Sequence, residues 1–344
     1  MDNKKAIIIL NFNGENHLET YLPSVISHHC NSTIIIIDNA STDDSINFIE
    51  KNYLDKVEII KLDKNYGFAG GYNRGIEQIK QDFEYYILLN SDIELTKDWL
   101  TPIIEYLEEN EDVAACQPKI LSHSDKSEFE YAGACGGFLD NNYYPFCRGR
   151  IFNEIEKDLD QYNYNTHVHW TSGACMVIRS NIFKKVEGFD PDFFAHMEEI
   201  DMCLRISALG YKLTCIGKSK VFHLGGGTLN YNSPRKTYLN FRNNLTLIIK
   251  NHQGLLIPKL FMRMTLDGVA ACMFLFQFKW ANFWQVGKSH AYMYLNFRKN
   301  YKKRIKIKQG QLETITLYKG NILLDFFLKR NRKYSELNLR RFEL

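Results

Sequence analysis

Asp92 is the first residue whose type and position could do chemistry. It follows the apolar run of residues 85–89 and then Asn90 and Ser91. A carboxylate where a buried strand ends, with an amide oxygen two residues earlier, offers the hard oxygen ligands that Mg²⁺ and Mn²⁺ prefer, and it leaves positions open for a diphosphate. The alternative is a plain turn, because Asn-Ser-Asp is also common turn chemistry.

A second group of acidic residues, Glu198, Glu199 and Asp201, opens a segment with helical spacing. The helix dipole favours carboxylates there, which accounts for part of this acidity. Asp201 and Arg205 stand four residues apart and can pair on one helix face, so Asp201 is expected to be structural. Glu199 lies about 200° around the helix from Asp201 and addresses a different surface. We therefore expect Glu199 to be free to act as a general base.

Four glycines lie within nine residues of the segment 65–75. They would let the backbone approach a ligand closely before a helix that we expect to begin at about Tyr72. The spacing is not that of the Gly-x-Gly-x-x-Gly dinucleotide motif, and the segment follows the third expected strand rather than the first. A purely structural turn is the alternative.

Asp38 and His223 each end a strand-like run. The Asp38 carboxylate could accept hydrogen bonds from a ribose or a base, and its alternative role is to cap the next helix. The His223 imidazole, beside a run of glycines, is a candidate metal ligand, although a lone histidine is more often structural. A functional role for Asp38 or His223 is favoured only when the other motifs are considered with it.

The elements that must position these residues form an α/β pattern. Short apolar runs alternate with helical spacing over the first 120 residues, which predicts a mostly parallel central sheet with ligands at the carboxyl ends of its strands. Strands are expected at 6–10, 33–37, 57–62 and 85–89, and helices at 45–53 and 99–108. A later block predicts a strand at 174–178, a helix at 198–209 and a strand at 212–216.

Two other regions have a different pattern. Residues 122–166 have weak periodicity and are expected to run over the surface, with a hairpin around 133–142. From residue 255, apolar-aromatic helical stretches at 255–262, 266–278 and 283–295 alternate with Lys and Arg. These helices either pack on the preceding domain or lie on an anionic membrane surface, and the basic run at 298–308 favours the membrane. We expect no nucleic acid partner.

Composition sets the outer limits. The chain has 45% hydrophobic and 24% charged residues, which excludes a disordered or collagenous protein. Its net charge of +3 combines −10 over residues 1–254 with +13 over residues 255–344. The eight cysteines are scattered and are interpreted as reduced thiols of a cytoplasmic protein. We expect neither a signal peptide nor a transmembrane helix.

The order of the motifs resembles that of the inverting glycosyltransferases of family 2, and among them the rhamnosyltransferase-like branch of bacteria. The resemblance covers about residues 4–250. It rests on the segments Ile-Ile-Leu-Asn-Phe-Asn-Gly, Ile-Asp-Asn-Ala-Ser-Thr-Asp, Asn-x-Gly-Phe-Ala-Gly-Gly-x-Asn-x-Gly, Leu-Leu-Asn-Ser-Asp, Ser-Gly-Ala-Cys, Glu-Glu-Ile-Asp-x-Cys-Leu-Arg and His-x-Gly-Gly. It implies a catalytic domain with the GT-A (nucleotide-diphospho-sugar transferase) fold over 1–250, followed by a basic, helical, membrane-associating C-terminal region over 251–344.

The same resemblance implies roles for individual residues. A dTDP- or UDP-linked sugar donor would be bound by Asn11, Asp38, Asn65, Gly71, Asn73, Arg74, Asn90 and Ser91. Asp92 and His223 would hold the divalent metal, Mg²⁺ or Mn²⁺. Glu199 would be the catalytic base, with Glu198 as its competitor, and the acceptor would be contacted by Glu198 and Trp170. The chain departs from the family pattern at Asn90, which replaces the first aspartate of Asp-x-Asp, and at Glu199, where the family usually has an aspartate.

The implied reaction is a single displacement by a hydroxyl of a glycan or lipid-linked glycan acceptor, in cell-surface polysaccharide synthesis. The enzyme would be cytoplasmic and peripheral on the inner face of the cell membrane. One alternative is a sugar nucleotidyltransferase, although that class usually has a Gly-rich phosphate loop directly after the first strand. Another is a non-catalytic membrane scaffold with a nucleotide-sugar fold.

Overall fold

The isoleucine-rich runs near the N-terminus form strands that are buried on both faces of a sheet, as their continuous apolar pattern predicts. The computed structural model describes residues 4–225, 233–308 and 317–342. Its first elements are β1 (Lys5–Asn11), α1 (Glu15–Ser27), β2 (Thr33–Asp38), α2 (Ser45–Tyr53), β3 (Glu58–Lys61), α3 (Gly67–Glu77), β4 (Tyr85–Asn90), β5 (Ile93–Leu95), α4 (Thr101–Glu109) and β6 (Val113–Ser122).

The remaining strands and α-helices follow in two groups. The first comprises β7 (Gly137–Leu139), β8 (Pro145–Cys147), β9 (Arg150–Ile151), β10 (Glu154–Ile155) and β11 (Thr166–His167). The second comprises β12 (Cys175–Arg179), α5 (Ser180–Lys185), α6 (Glu198–Ala208), β13 (Lys212–His223), α7 (Pro234–Asn251), α8 (Leu256–Phe276) and α9 (Trp280–Lys308).

The central sheet has the strand order β11-β13-β6-β12-β4-β1-β2-β3, with β5 paired to β13. The pairs β1/β2, β1/β4, β2/β3 and β6/β13 are parallel, whereas β12 runs antiparallel to both of its neighbours. Side chains alternate between two cores. Ile7 and Ile9 face α1, α2 and α4, and Ile8 faces the core that includes α3, α6 and α7. The predicted α/β class with a mostly parallel sheet is confirmed.

The glycine-rich segment is itself helical, so the expected helix start at Tyr72 is corrected to Gly67. A Cβ atom on Gly71 would lie 2.8 Å from Leu10 Cδ1, and one on Gly75 would collide with Ile37. These two glycines therefore let α3 pack closely on β1 and β2. Helix-to-sheet contact is thus one structural reason for the spacing of these glycines.

Residues 122–166 do not run over the surface as predicted. Strands β7 to β10 form a second, antiparallel sheet, and Phe138 and Phe146 on it are fully buried. Their cover comes from the end of the chain, because the Phe342 ring lies 5.0 Å from that of Phe138 and the Tyr318 ring 5.6 Å from that of Phe146. The C-terminal residues 317–342 thus complete the core of the preceding domain.

The predicted C-terminal helical pattern is present as two long helices, α8 and α9, that follow α7. Among the described residues, no helix combines the length and the apolar character needed to cross a membrane. Helix α9 packs along α7, where Asn282 donates to Thr237 Oγ1 over 2.7 Å and Ser289 Oγ donates to the Tyr238 carbonyl over 3.0 Å.

Candidate active site

Parallel pairing brings three polar strand ends to one edge of the sheet. Asn11 at the end of β1 lies opposite Asp38 at the end of β2, and Leu10 lies opposite Asn90 at the end of β4. Ser91 follows directly, and its hydroxyl lies 3.6 Å from the position of a Cβ on Gly14, the glycine after β1. The carboxyl edge of the sheet is therefore the polar end, as predicted.

Strand β13 brings His223 to Asp92. Its last residue pairs with Ile93 of β5, and His223 Nε2 lies 3.1 Å from Asp92 Oδ1. The other ring nitrogen, Nδ1, lies 3.4 Å from Oε2 of Glu130, a residue that the sequence pattern did not single out. All three side chains are buried.

The two carboxylates control the charge of this histidine. Burial disfavours the imidazolium, but Asp92 and Glu130 outweigh burial and raise the pKa of His223 to about 10. Burial would raise the pKa of Asp92, but His223 reverses this and holds it below its usual value. The three groups form one tightly linked charge cluster.

Asp92 and His223 could hold a divalent metal if the metal displaces the proton that the two carboxylates favour on the imidazole, because only a neutral imidazole binds a metal. One carboxylate oxygen and one imidazole nitrogen are donors that Mn²⁺ and Mg²⁺ accept, and phosphate oxygens or water can complete the coordination. Within residues 4–225, 233–308 and 317–342, no group of three or more His, Cys, Asp and Glu side chains is arranged to hold a metal on its own. A metal here would depend on the bound diphosphate for further ligands.

The Asp38 carboxylate is tied into the end of the sheet. Asn11 Nδ2 donates to its Oδ1 over 3.2 Å, and the Ser41 backbone N–H donates to its Oδ2 over 3.1 Å. Asn11 Nδ2 also donates to Ser41 Oγ. Asn11 Oδ1 is buried and has no hydrogen-bond partner, so one acceptor at this edge is unsatisfied.

Asn39 organises the entry to α3, and sequence reasoning missed it. Its Nδ2 donates to Asn65 Oδ1 and to the Gly67 carbonyl, each over 3.1 Å, and its Oδ1 accepts from the Tyr66 N–H. Asn65 Oδ1 in turn accepts from the Gly67 N–H. Of the predicted donor-binding residues, Asn65 thus lies beside Asp38 in a network next to the strand ends.

Two other predicted donor-binding residues are engaged in the fold. Asn73 Nδ2 donates to the Phe189 carbonyl over 2.7 Å, and its Oδ1 accepts from the Phe189 N–H over 3.0 Å. The Arg74 guanidinium stacks 4.1 Å from the centre of the Tyr66 ring. Asn73 therefore joins α3 to the segment before α6, and Arg74 covers the start of α3.

Glu198 is buried and Glu199 is half-buried, and the Oε2 atom of each is inaccessible to solvent and has no hydrogen-bond partner. Burial raises the pKa of Glu199 to about 7, although backbone N–H groups partly oppose the shift. Burial and the neighbouring charge of Glu199 raise the pKa of Glu198 well above its usual value. Burial thus favours the neutral form of Glu198, while Glu199, with a pKa near neutral pH, is poised to exchange a proton.

Helix α6 separates the roles of its acidic residues, as the helical spacing predicts. Asp201 is paired on the inner side, where Arg205 Nε lies 2.9 Å and Lys250 Nζ 2.7 Å from its Oδ2. Glu199 faces Gly173, whose Cβ position is 3.7 Å from Glu199 Cβ. The next residue, Ala174, accepts from the Asn90 N–H over 2.9 Å. Glu199 therefore lies next to the segment that pairs with the end of β4, two residues before Asp92.

Contrary to the prediction from the sequence, Trp170 is not in a position to stack on an acceptor sugar. It is only 4% exposed, its Nε1 donates to the Phe138 carbonyl over 3.0 Å, and its ring occupies the space that a side chain at Gly137 would need. Both faces of the ring are thus in the protein interior. The structure gives Trp170 a packing role.

Comparison with known proteins bears on this geometry. The sequence model of glycosyl transferase family 2 matches residues 6–187, which is just over half of the chain. The rhamnosyltransferase WbbL of Escherichia coli K12 is 28% identical over 163 residues, which cover 46% of this chain and 61% of that protein. The N-acetylglucosaminyl-diphospho-decaprenol L-rhamnosyltransferase of Mycobacterium tuberculosis is 19% identical over 319 residues, 89% of this chain and 98% of that protein.

Solved structures show the same fold. GalNAc-T7 with UDP, GalNAc and Mn²⁺ superposes with a TM-score of 0.55 at 15% identity, over 72% of this chain and 48% of that one. The mannosyltransferase PcManGT of Pyrobaculum calidifontis, with GDP-Man and Mn²⁺, gives 0.50 at 11% identity, over 89% and 85%. This chain therefore belongs to glycosyl transferase family 2 and has the GT-A fold, and it is similar to two rhamnosyltransferases.

Proposed function

We propose that this protein is an inverting glycosyltransferase that moves a hexosyl group from a nucleoside diphosphate donor to a hydroxyl of a glycan acceptor, in the synthesis of a cell-surface polysaccharide. One observation carries the proposal: Glu199 has an inaccessible, unpaired oxygen and a pKa of about 7, and it lies next to Gly173 and Ala174, the segment that pairs with the end of β4. A general base works best when its pKa lies near the operating pH.

The reaction is a single displacement. The acceptor oxygen forms a bond to the anomeric carbon of the donor sugar, and Glu199 takes the proton of that hydroxyl. The bond from the anomeric carbon to the diphosphate oxygen breaks, and the nucleoside diphosphate leaves with the electron pair. A divalent metal held by Asp92 and His223, when bound, supplies positive charge next to the diphosphate. Whether Mg²⁺ or Mn²⁺ serves is decided by measurement rather than by this donor set.

A dTDP- or UDP-linked donor suits the edge around Asp38. The unsatisfied Asn11 Oδ1 lies beside the Asp38 carboxylate, and an acceptor of this kind matches the imide N–H that thymine and uracil share. Asn65, Asn90 and Ser91 line the same edge. Both relatives are rhamnosyltransferases, and the one from Mycobacterium tuberculosis transfers L-rhamnose to N-acetylglucosaminyl-diphospho-decaprenol, which supports L-rhamnose as the sugar and a lipid-linked glycan as the acceptor.

The exposed face of α8 supports a membrane as a further partner. The buried stripe of this helix contains Leu260, Ala271 and the ion pair between Arg263 Nε and Asp267 Oδ1, which are 2.7 Å apart. The opposite face is apolar and open to solvent, at Ile257, Phe261, Val269, Met273 and Phe276. A helix with charges inside and apolar groups outside suits an apolar environment rather than water.

The turn after α8 and the outer face of α9 continue this surface. Phe276 is 84% exposed and Phe278 80%, and Trp280 and Trp284 follow on α9. Lys279, Lys288 and Arg298 are exposed beside them. Aromatic side chains next to basic ones suit the interface of an anionic bilayer. We therefore place the protein as peripheral on the cytoplasmic, inner face of the cell membrane, where a lipid-linked acceptor would be found.

The proposed activity is tested with a panel of UDP-, dTDP- and GDP-sugars, a lipid diphosphate-linked N-acetylglucosamine acceptor, and mass spectrometry of both products. The proposal predicts a glycan one hexose or deoxyhexose larger, together with free nucleoside diphosphate. Pyrophosphate as the product would instead indicate a sugar nucleotidyltransferase. Donor binding without any transfer over the whole panel would indicate a scaffold.

A further inference from the structure

The segment that leads into Glu198 and Glu199 has an unusual backbone. Phe194, His196 and Met197 have φ values of 65°, 69° and 69°, although none of them is glycine. Residues other than glycine rarely adopt this left-handed backbone conformation, and they keep it only where surrounding contacts hold the backbone in place. Met197 is also the residue directly before α6, so this backbone sets where the two glutamates begin.

Two neighbouring residues of α7 provide most of the contacts that fix this segment. Asn243 is buried, and its Nδ2 donates to the carbonyl oxygens of Phe193, Ala195 and His196 over 3.1, 2.9 and 2.6 Å. Arg242 Nη2 donates to the carbonyl oxygens of Asp192 and Phe193 over 3.0 and 2.6 Å. Arg242 Nε also donates to Asn243 Oδ1 over 2.7 Å, which orients the amide.

The other carbonyl groups of the segment have backbone partners. The Phe68 N–H donates to the Phe194 carbonyl over 2.9 Å, and the Asp201 N–H donates to the Met197 carbonyl over 3.0 Å. Every carbonyl from 192 to 197 therefore has a donor, and the Asn243 amide is the side-chain donor for 195 and 196. Removing this amide leaves those two groups without a donor among the residues that the structure describes, so we expect the segment to change its conformation.

We propose that Asn243, oriented by Arg242, is a positioning residue that acts through Glu199, by holding the segment 193–197 in the one conformation that places the base against the end of β4. Asn243 does not touch the reacting atoms. The inference rests on the proposed function, because it assigns Asn243 to the placement of the base in that reaction. It gives a role in placing the base to α7, a helix beyond the residues that the family model matches.

The test is a double-mutant cycle with Asn243→Ala and Glu199→Gln. Displacing a catalytic group by about 1 Å can lower a rate by about 100-fold, so we expect Asn243→Ala alone to lower kcat by roughly 10- to 100-fold with the donor KM unchanged. In the Glu199→Gln background, where no base remains to be placed, Asn243→Ala should lower kcat no further. An equal further loss in that background would overturn the proposal, because a purely structural defect is additive.

A second readout applies if the Glu199→Gln background is too slow to measure. Backbone N–H groups of Met197, Glu199 and Ile200 favour the charged Glu199 carboxylate. Loosening the segment weakens these bonds, so the acid limb of the kcat profile of Asn243→Ala should move to higher pH. An unmoved limb would overturn the proposal. If Asn243→Ala does not fold, Arg242→Lys, which loses the forked donor, replaces it in both experiments with the same expected outcomes.

Asn282→Ala is the matched control. Asn282 is also a buried amide, and it joins α9 to α7 through Thr237 Oγ1 without touching the segment 193–197. It should lower the melting temperature while leaving kcat and its pH profile unchanged. Absence of transfer by the wild-type protein would contradict the proposed function itself, whereas additive losses would contradict only the role of Asn243.

Discussion

His223 Nε2 lies 3.1 Å from Asp92 Oδ1, although 131 residues separate the two along the chain. The contact exists because β13 pairs with both β5 and β6, so its last residue arrives beside the first turn after β4. In the sequence, neither residue alone indicates a metal site. Together they form a carboxylate and imidazole pair at the edge where the donor diphosphate is expected.

The base assignment is tested by comparing Glu199→Gln with Glu198→Gln. Glu199→Gln removes the proton acceptor and should lower kcat by about 10²- to 10⁴-fold, while calorimetric donor binding is retained. Burial raises the pKa of Glu198 well above its usual value and so favours its neutral form, which a glutamine resembles; Glu198→Gln should therefore stay close to wild type. The reverse pattern would assign the base to Glu198.

The pH dependence of kcat follows from the burial of Glu199. Its pKa is raised to about 7, and only the ionised form accepts a proton, so kcat should fall tenfold per pH unit below that value and level off above it. Steady-state rates at saturating substrate measure this directly. A rate that stays constant down to about pH 5 would mean that the group titrates like an ordinary glutamate.

Metal dependence tests the pair Asp92 and His223. Excess EDTA should abolish transfer, and Mn²⁺ or Mg²⁺ should restore it. Asp92→Asn and His223→Ala should each raise the metal concentration needed for half-maximal rate. Loss of a residue that merely orients a metal ligand commonly weakens metal binding by about 10- to 100-fold, and loss of a ligand itself should weaken it at least as much. The control is Glu94→Gln, which removes a partly exposed carboxylate that pairs with Lys126 and His123. Full activity in EDTA would remove the metal from the account.

Membrane binding tests the surface of α8 and α9. The double variant Trp280→Ser, Trp284→Ser should lose most co-sedimentation with vesicles that contain phosphatidylglycerol, because it removes the aromatic groups at the exposed turn. Binding of the wild-type protein should weaken as salt rises. Leu54→Ser, at another exposed apolar residue, is the control. If the wild-type protein does not bind vesicles but sediments as a dimer, and the double variant sediments as a monomer, the surface is an interface between copies of this protein.

Stability should depend on a buried ion-pair network that joins α6, α7 and α9. Lys250 Nζ lies 2.6 Å from Asp190 Oδ2 and 2.7 Å from Asp201 Oδ2. Lys250→Met removes the cation that pairs with both buried carboxylates. It should lower the free energy of unfolding by about 3 kcal/mol in urea titrations. Lys212→Met, which breaks an exposed pair with Asp112, should leave it unchanged. Equal effects of the two variants would contradict a structural role for the network.

The sheet and its polar edge could be predicted because their signals are local. Runs such as residues 6–10 are apolar at every position, which only a strand buried on both faces requires, and Asp38 and Asp92 follow such runs directly. The separation of Glu199 from Asp201 also follows from helix geometry alone. In each case the information lies within a few residues of the feature.

The remaining features depend on contacts between distant segments. Glycines that bind a ligand and glycines that pack a helix on a sheet have the same spacing, so the sequence alone does not predict that Gly71 lies against Leu10. Residues 122–166 were expected on the surface because their cover, including Tyr318, comes from the chain end. Nothing in the sequence connects Asn243 to Glu199, because the link passes through backbone carbonyl groups.

The central claim is that Glu199 promotes a single displacement at the anomeric carbon. It is tested most directly by determining, with NMR, the anomeric configuration of the newly formed linkage and comparing it with that of the donor. The account predicts the opposite configuration for the wild-type protein and the same product, formed far more slowly, for Glu199→Gln. Retention of the donor configuration would contradict the single displacement and the role of Glu199 as its base.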